Sequence, residues 1–87
     1  MALRLTQNAL YYYILTCLSI QDMYGAQILK NVNSYVSINS STLYLALDEL
    51  EREKKIIRKS IVKNGVACEL CRITRLGKKY LKSFLKD

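Results

Sequence analysis

The chain has no histidine among its 87 residues, and it has only seven acidic side chains. Histidine is the commonest general base and the commonest metal ligand in proteins, so both roles lose their usual residue. The carboxylates form no paired arrangement, and the sequence has no glycine-rich phosphate loop. These absences predict a protein that is not an enzyme and that uses no cofactor.

The sequence also lacks a long apolar run and a signal peptide. Its longest apolar run, Ala9 to Leu15, includes three tyrosines and falls far short of the ~20 residues that span a membrane. The N-terminus has no small-residue cleavage site. We therefore expect a cytoplasmic protein without a membrane span. Hydrophobic residues still make up 51% of the chain, more than so small a surface easily covers, which favours an oligomer.

Three cysteines are present, and two of them form a Cys-x-x-Cys pair, Cys68 and Cys71. This spacing occurs in zinc and redox sites. However, no second Cys or His pair exists to complete four zinc ligands, and residues three apart in a strand point to opposite faces. We therefore expect ordinary thiols, with Cys17 as a small apolar side chain on the core side of a helix.

Positive charge is concentrated in the second half of the chain. Residues 1–53 hold three basic and five acidic side chains, whereas residues 54–86 hold eleven basic side chains and one acidic side chain, Glu69. This asymmetry predicts a polyanionic partner, with nucleic acid favoured over anionic lipid. The alternative is a solvated lysine face that serves only solubility.

Apolar spacing predicts helices at residues 5–19, 23–33, 40–54 and 75–86, with Asp22 capping the second. Two stretches rich in β-branched residues, 56–63 and 66–74, flank Asn64-Gly65, a strong hairpin signal because both turn residues need positive φ. Val36-Ser37 is a weak candidate for a first strand. The predicted fold is mainly α (α+β): a winged helix-turn-helix with a three-helix core, a two-stranded wing and a short C-terminal helix, in one domain over residues 1–87.

The third predicted helix has an apolar back and a front suited to a DNA groove. Leu45 is expected to contact a thymine methyl, unless it serves a dimer or crystal contact instead. Tyr44 is expected to contact a phosphate or a base edge, unless it packs against the wing. Hydroxyls at the helix start and lysines beyond its end are expected to contact the DNA backbone. The predicted DNA-binding residues are Ser40, Ser41, Thr42, Tyr44, Leu45, Lys55, Lys59 and Lys63. Lys54 and Arg58 are expected to add backbone contacts. Asp48 is expected either to lie at the edge of the groove or to pair with Arg52.

The first and last helices are more apolar than contact with a single core requires. In the first helix we expect Leu10, Tyr13, Ile14 and Cys17 to face the core, which leaves a second apolar side. The apolar half of the last helix is likewise wider than one contact needs. The surplus predicts a dimer interface made by Tyr11, Tyr12, Leu15, Leu81, Phe84 and Leu85.

Three motifs in order resemble the PadR-like family of winged-helix regulators. They are Met23-Tyr24-Gly25-Ala26-Gln27-Ile28, the stretch from Ser40 to Glu51, and Ile73-Thr74-Arg75-Leu76-Gly77-Lys78. The resemblance implies a homodimeric transcriptional repressor of double-stranded DNA, sometimes released by a small-molecule inducer. The wing is shorter and less basic than is common in the family. The family usually continues into a longer C-terminal helix or domain, so the dimer is expected to use the first and last helices.

Two other functions remain open at this level. The chain could be a plasmid or viral partition protein, or an architectural one, that loads on DNA in arrays. It could instead be a basic amphipathic interaction module, with the last helix lying on an anionic membrane or on an acidic protein.

Overall fold

The computed structural model describes residues 7–85, and these form four helices and a three-stranded antiparallel sheet. In chain order the elements are α1 (Gln7–Ile20), β1 (Met23–Tyr24), α2 (Gly25–Asn33), α3 (Ser40–Arg52), β2 (Ile56–Lys63), β3 (Val66–Ile73) and α4 (Arg75–Leu85). The predicted α+β winged helix-turn-helix is confirmed. No helix in this part of the chain is long and apolar enough to cross a membrane.

The sheet has the order β1-β3-β2, and the wing is formed by β2 and β3. Their register runs from the pair of Ile56 with Ile73 to the pair of Lys63 with Val66. Asn64 and Gly65 between them have φ values of 52° and 77°, as the hairpin prediction requires.

The first strand lies at Met23–Tyr24, where it pairs with Leu70 and Cys71 of β3. The expectation of a strand at Val36-Ser37 is therefore wrong, because that segment is part of the irregular turn between α2 and α3.

Helix α1 lies in the middle of the molecule and packs against α2, α3, α4 and β3. Its buried side chains are Leu10, Tyr11, Ile14, Leu15 and Leu18. Tyr11 and Leu15, which were expected at a dimer interface, are thus used inside the chain, because the surrounding elements cover both sides of α1. Tyr13 and Cys17, expected in the core, are only partly buried.

The start of α2 differs from the sequence prediction, whereas α3 begins at Ser40 as predicted. Helix α2 begins at Gly25, where the side chain of Gln27 accepts a 2.8 Å hydrogen bond from the Tyr24 backbone N–H. Asp22 is not the cap, since its carboxylate binds Arg72 at 2.9 Å. The cap of α3 is Asn39, whose side-chain oxygen accepts a 2.8 Å hydrogen bond from the Thr42 N–H.

The corner after α3 connects three elements. The helix ends at Arg52 and closes with a Schellman motif, in which the Lys54 and Lys55 N–H groups bond the carbonyls of Glu51 and Leu50 at 2.9 Å each. Thr74 then joins α4 to this corner: its hydroxyl donates to the Lys54 carbonyl at 2.7 Å and accepts from the Gly77 N–H at 3.0 Å.

Gly77 is required at the same corner because the α4 backbone passes very close to the turn. A Cβ at this position would lie 2.8 Å from Cγ1 of Ile73 and would overlap the Lys55 carbonyl oxygen. The threonine and the glycine of the third sequence motif therefore have one structural function, which is to seat α4 on the α3–β2 turn.

All three cysteines are free thiols. Cys71 is buried beneath the sheet, and burial raises the pKa of its thiol to about 11. Cys68 is only partly buried and lies on the other face of β3, since side chains three apart along a strand diverge. Residues 7–85 contain no cluster of three side chains able to hold a metal ion.

Candidate nucleic-acid interface

One face of α3 is buried in the core, and the opposite face, called the front of α3 below, is exposed. Its inward stripe of Leu43, Ala46, Leu47 and Leu50 is buried in the core. On the other side, Tyr44 is 41% exposed and Leu45 is 70% exposed. An isolated apolar side chain as open as Leu45 gains nothing from the core, so it is available to a partner. Ser40, Ser41 and Thr42 at the helix start are also exposed.

The Tyr44 ring rests on the start of α2. A Cβ at Gly25 would lie 2.9 Å from Cζ of Tyr44 and would overlap its hydroxyl oxygen. The glycine therefore leaves the space that the tyrosine ring occupies. The neighbour that fixes Tyr44 is thus in α2, whereas the sequence suggested the wing as the alternative packing site.

The wing approaches the same place through Lys63. Its ammonium lies 5.3 Å from the ring centroid of Tyr24, within the range of a cation–π contact. Tyr24 directly precedes Gly25, so Lys63, Tyr24, Gly25 and Tyr44 form a continuous path from the wing tip to α3. Lys59 is exposed on β2 and makes no ion pair with any residue between positions 7 and 85.

Lys55 is not part of this surface. Its ammonium bonds the Glu53 carboxylate at 2.7 Å and lies 3.5 Å from the ring centroid of Tyr80 in α4. Its side chain is only 15% exposed. This placement does not support the expectation that Lys55 contacts DNA, because the ammonium is engaged with Glu53 and Tyr80 at the α3–β2 turn.

Two further charge assignments are wrong. Arg52 pairs with Glu49, three residues before it, and Asp48 pairs with Arg58 at 2.7 Å. Arg58 also bonds Glu51 at 2.6 Å, and this hydrogen bond raises the pKa of the guanidinium. Arg58 is therefore held by internal carboxylates and is not the free backbone contact that its sequence position suggested.

Comparison with known proteins decides the family. The model of the transcriptional regulator PadR-like family matches residues 14–83, which is more than half of the chain. The chain belongs to the PadR-like family of transcriptional regulators. A comparison with curated protein sequences found no significant match.

Solved structures agree with this assignment. The protein smu.1704 of Streptococcus mutans UA159 superposes with a TM-score of 0.89 and 28% identity, covering 99% of this chain and 81% of that one. A PadR family regulator of Clostridium difficile R20291 superposes with a TM-score of 0.82 and 25% identity, covering 88% of this chain and 83% of that one. Bacillus subtilis PadR, solved in complex with operator DNA, shares the fold. It superposes with a TM-score of 0.82 and 23% identity, covering 90% of this chain and 47% of that one.

The PadR-like chain has a second notable surface, where α1 and α4 meet. Tyr12 and Phe84 pack edge to face with ring centroids 5.6 Å apart, and Phe84 meets Tyr80 at 5.0 Å. Tyr12, Leu81 and Phe84 are only partly buried, so this aromatic patch retains surface for contact. The side chain of Leu85, also predicted here, lies outside the described residues.

Sequence reasoning missed two structural features beside the front of α3, the packing of Tyr44 on Gly25 and the ion pairs of Arg58. The motif containing Tyr24-Gly25 was noted, but its spatial neighbour Tyr44 is nineteen residues away and gives no local signal. For Arg58, the signal was a basic residue that follows the acidic stretch from Asp48 to Glu53. That pattern fits a solvent-facing cation equally well, and only the fold selects between the two.

Proposed function

We propose that this PadR-like chain is a homodimeric transcriptional repressor that binds specific double-stranded DNA and lays α3 in the major groove. The observation that carries the proposal is the open front of α3 beside an exposed, lysine-bearing wing. An α-helix fits the major groove, and its exposed side chains can then reach base edges. The Bacillus subtilis relative that was solved with operator DNA supports this use of the shared fold.

Tyr44 and Leu45 are the proposed reading residues. Leu45 offers an apolar contact to a thymine methyl, and the Tyr44 hydroxyl can bond a base edge or a phosphate. Ser40, Ser41 and Thr42 lie at the start of α3, where their hydroxyls and the backbone N–H groups not bonded by the Asn39 cap favour phosphate oxygens. Lys59 and Lys63 on the wing add phosphate contacts that hold the duplex without reading its sequence.

The homodimer is proposed to form through the aromatic patch of Tyr12, Leu81 and Phe84. A two-fold dimer presents two α3 helices to successive major grooves, about 34 Å apart, and so matches a palindromic site. A dimer bound over a promoter occludes it from the transcription machinery, which is the proposed basis of repression.

Substitution of Tyr44 tests the reading role. DNase footprinting on the DNA upstream of the chain's own gene defines a protected duplex, and binding is then compared with a random duplex. Tyr44→Ala should weaken binding to the protected duplex by about tenfold, in the range of one lost base contact, and should change random-duplex binding little. Tyr35→Ala is the matched control, because Tyr35 is an exposed tyrosine before α3. Equal losses on both duplexes for Tyr44→Ala would contradict the reading role.

The alternative of an interaction module rests on α4. Its basic side chains Arg75, Lys78, Lys79 and Lys82 are exposed, and the helix has no acidic residue. An anionic membrane would attract this stripe. Sedimentation with vesicles of phosphatidylserine and phosphatidylcholine, beside the DNA assay, separates the two functions: vesicle binding without a footprint would favour the module.

A further inference from the structure

Arg58 forms the centre of an ion-pair cluster between the wing and α3. We infer that Arg58 is a positioning residue for DNA binding, which gathers the carboxylates of Asp48, Glu51 and Glu69 and thereby lets α3 approach a polyanion. The inference rests on the proposed function and adds to it a residue that need not touch DNA.

The geometry of the cluster is specific. Nη2 of Arg58 lies 2.7 Å from Asp48 Oδ1 and 2.6 Å from Glu51 Oε1, and Nε donates to the same Glu51 oxygen at 3.0 Å. Nη1 lies 3.8 Å from Glu69 Oε1. The arginine side chain is 13% exposed, whereas the carboxylates of Asp48, Glu51 and Glu69 are 51%, 40% and 53% exposed, so solvent screens these contacts from the acidic side only. A planar guanidinium can serve several carboxylates at once, which a lysine ammonium does less well.

The excess of negative charge on α3 is the reason that this cluster matters for DNA binding. Ser40–Arg52 contains three carboxylates and one arginine, an unusual balance for a helix that enters a DNA groove. Asp48 is half exposed on the same outward arc as Tyr44 and Leu45. Arg58 draws the Asp48 carboxylate towards the wing and offsets its charge. Without the arginine, uncompensated carboxylates would face the phosphates and repel them.

The same contacts orient the wing. Arg58 pairs in register with Cys71 of β3, which in turn pairs with Met23 of β1, so its backbone is fixed in the base of the sheet. Its side chain reaches out of the sheet to two successive turns of α3 through Asp48 and Glu51. The angle between α3 and the strand that carries Lys59 and Lys63 is therefore set in part by this one side chain.

The test is a charge-rescue cycle read by fluorescence anisotropy on a random-sequence duplex of about 30 bp, long enough for two half-sites. Arg58→Met should weaken binding about tenfold at low salt. The slope of log K against log salt should stay unchanged, because a direct phosphate contact would lower it by about 0.9. Adding Asp48→Asn should restore most of the affinity in the Arg58→Met background and change wild-type binding little.

One control variant and one replacement variant make the result decisive. Arg52→Met removes an exposed arginine from α3 itself, and it should weaken binding less than Arg58→Met. If circular dichroism shows that Arg58→Met is unfolded, Arg58→Gln replaces it, since it removes the charge but keeps a side chain that can donate hydrogen bonds, and the same rescue by Asp48→Asn is expected.

Three outcomes would overturn the inference. They are a slope lower by about 0.9, which makes Arg58 a phosphate contact; unchanged binding of a folded Arg58 variant; and a failure of Asp48→Asn to rescue. A wild-type chain that binds no duplex would instead overturn the proposed function, and the inference with it.

Discussion

Lys54 has a φ of 63°, in the left-handed region, at the position where a helix closed by a Schellman motif usually has glycine. A side chain with a Cβ is disfavoured there by ~1–2 kcal/mol, and part of that cost is offset because glycine gives the unfolded chain more freedom. We expect Lys54→Gly to raise the free energy of unfolding by about 0.5–1 kcal/mol, measured by urea denaturation.

The matched control for this prediction is Lys54→Ala, which removes the same ammonium but keeps a Cβ. It should leave the free energy of unfolding unchanged or slightly lower. Equal stabilisation by alanine and glycine would mean that relief of charge repulsion, and not backbone conformation, explains the effect.

Individual residues show where prediction from sequence stops. The exposure of Tyr44 and Leu45 follows from the leucine spacing of α3, because one helix cannot bury both sides of such a pattern. The fate of the cations does not follow. Lys55, Arg58 and Lys59 look alike in the sequence, yet the fold engages the first two with internal partners and leaves Lys59 exposed. An ion pair depends on distances across elements, which periodicity does not contain.

At the scale of elements, the wing is the part whose charge is easiest to test. Lys59→Ala and Lys63→Ala should each reduce the slope of log K against log salt by about 0.9, because each removes one proposed phosphate contact. Binding to random and protected duplexes should weaken together, since phosphate contacts carry no sequence information. The measurement is anisotropy over a series of salt concentrations.

Lys79→Ala is the control for the wing lysines, because Lys79 is also an exposed lysine but lies on α4. Its slope should match that of the wild type. If the slope falls by the same amount for Lys79→Ala, the duplex also covers α4 and the proposed surface is too small.

Elements with local signals were predicted well, and those defined by distant pairing were not. The hairpin needs only Asn64-Gly65 and two β-branched stretches, all adjacent in the sequence, and its two strands lie where the sequence predicted them. Strand β1 has two residues, and it exists only because Met23 and Tyr24 find Cys71 and Leu70 far along the chain. No local pattern marks such a strand, and the same pairing displaced Asp22 from its expected role as a cap.

At the scale of the whole molecule, the proposed dimer can be tested through its aromatic patch. Phe84→Ser should raise the dimer dissociation constant about tenfold or more, because aromatic side chains at the centre of an interface carry much of the binding free energy. Size-exclusion chromatography with light scattering measures the effect. Val62→Ser, which changes an exposed apolar side chain on the wing, should leave the dimer intact.

A wild-type chain that stays monomeric at micromolar concentration would contradict the proposed dimer.

The burial of Tyr11 and Leu15 shows why the sequence overestimated this interface. An all-round apolar helix predicts that two sides are covered, but it does not say whether a second chain or the chain's own α3 and α4 cover them.

The seat of α4 on the corner after α3 has a geometric consequence. The start of α4, the helix proposed to meet the partner, is held against the end of α3, the helix proposed to meet the bases. The residues that hold it there are Thr74, Gly77 and Lys55. In a dimer joined along α4, the distance between the two α3 helices then depends on this contact between α3 and α4. A tilt of a few degrees between the two α4 helices would change the spacing of half-sites that both α3 helices can bind at once.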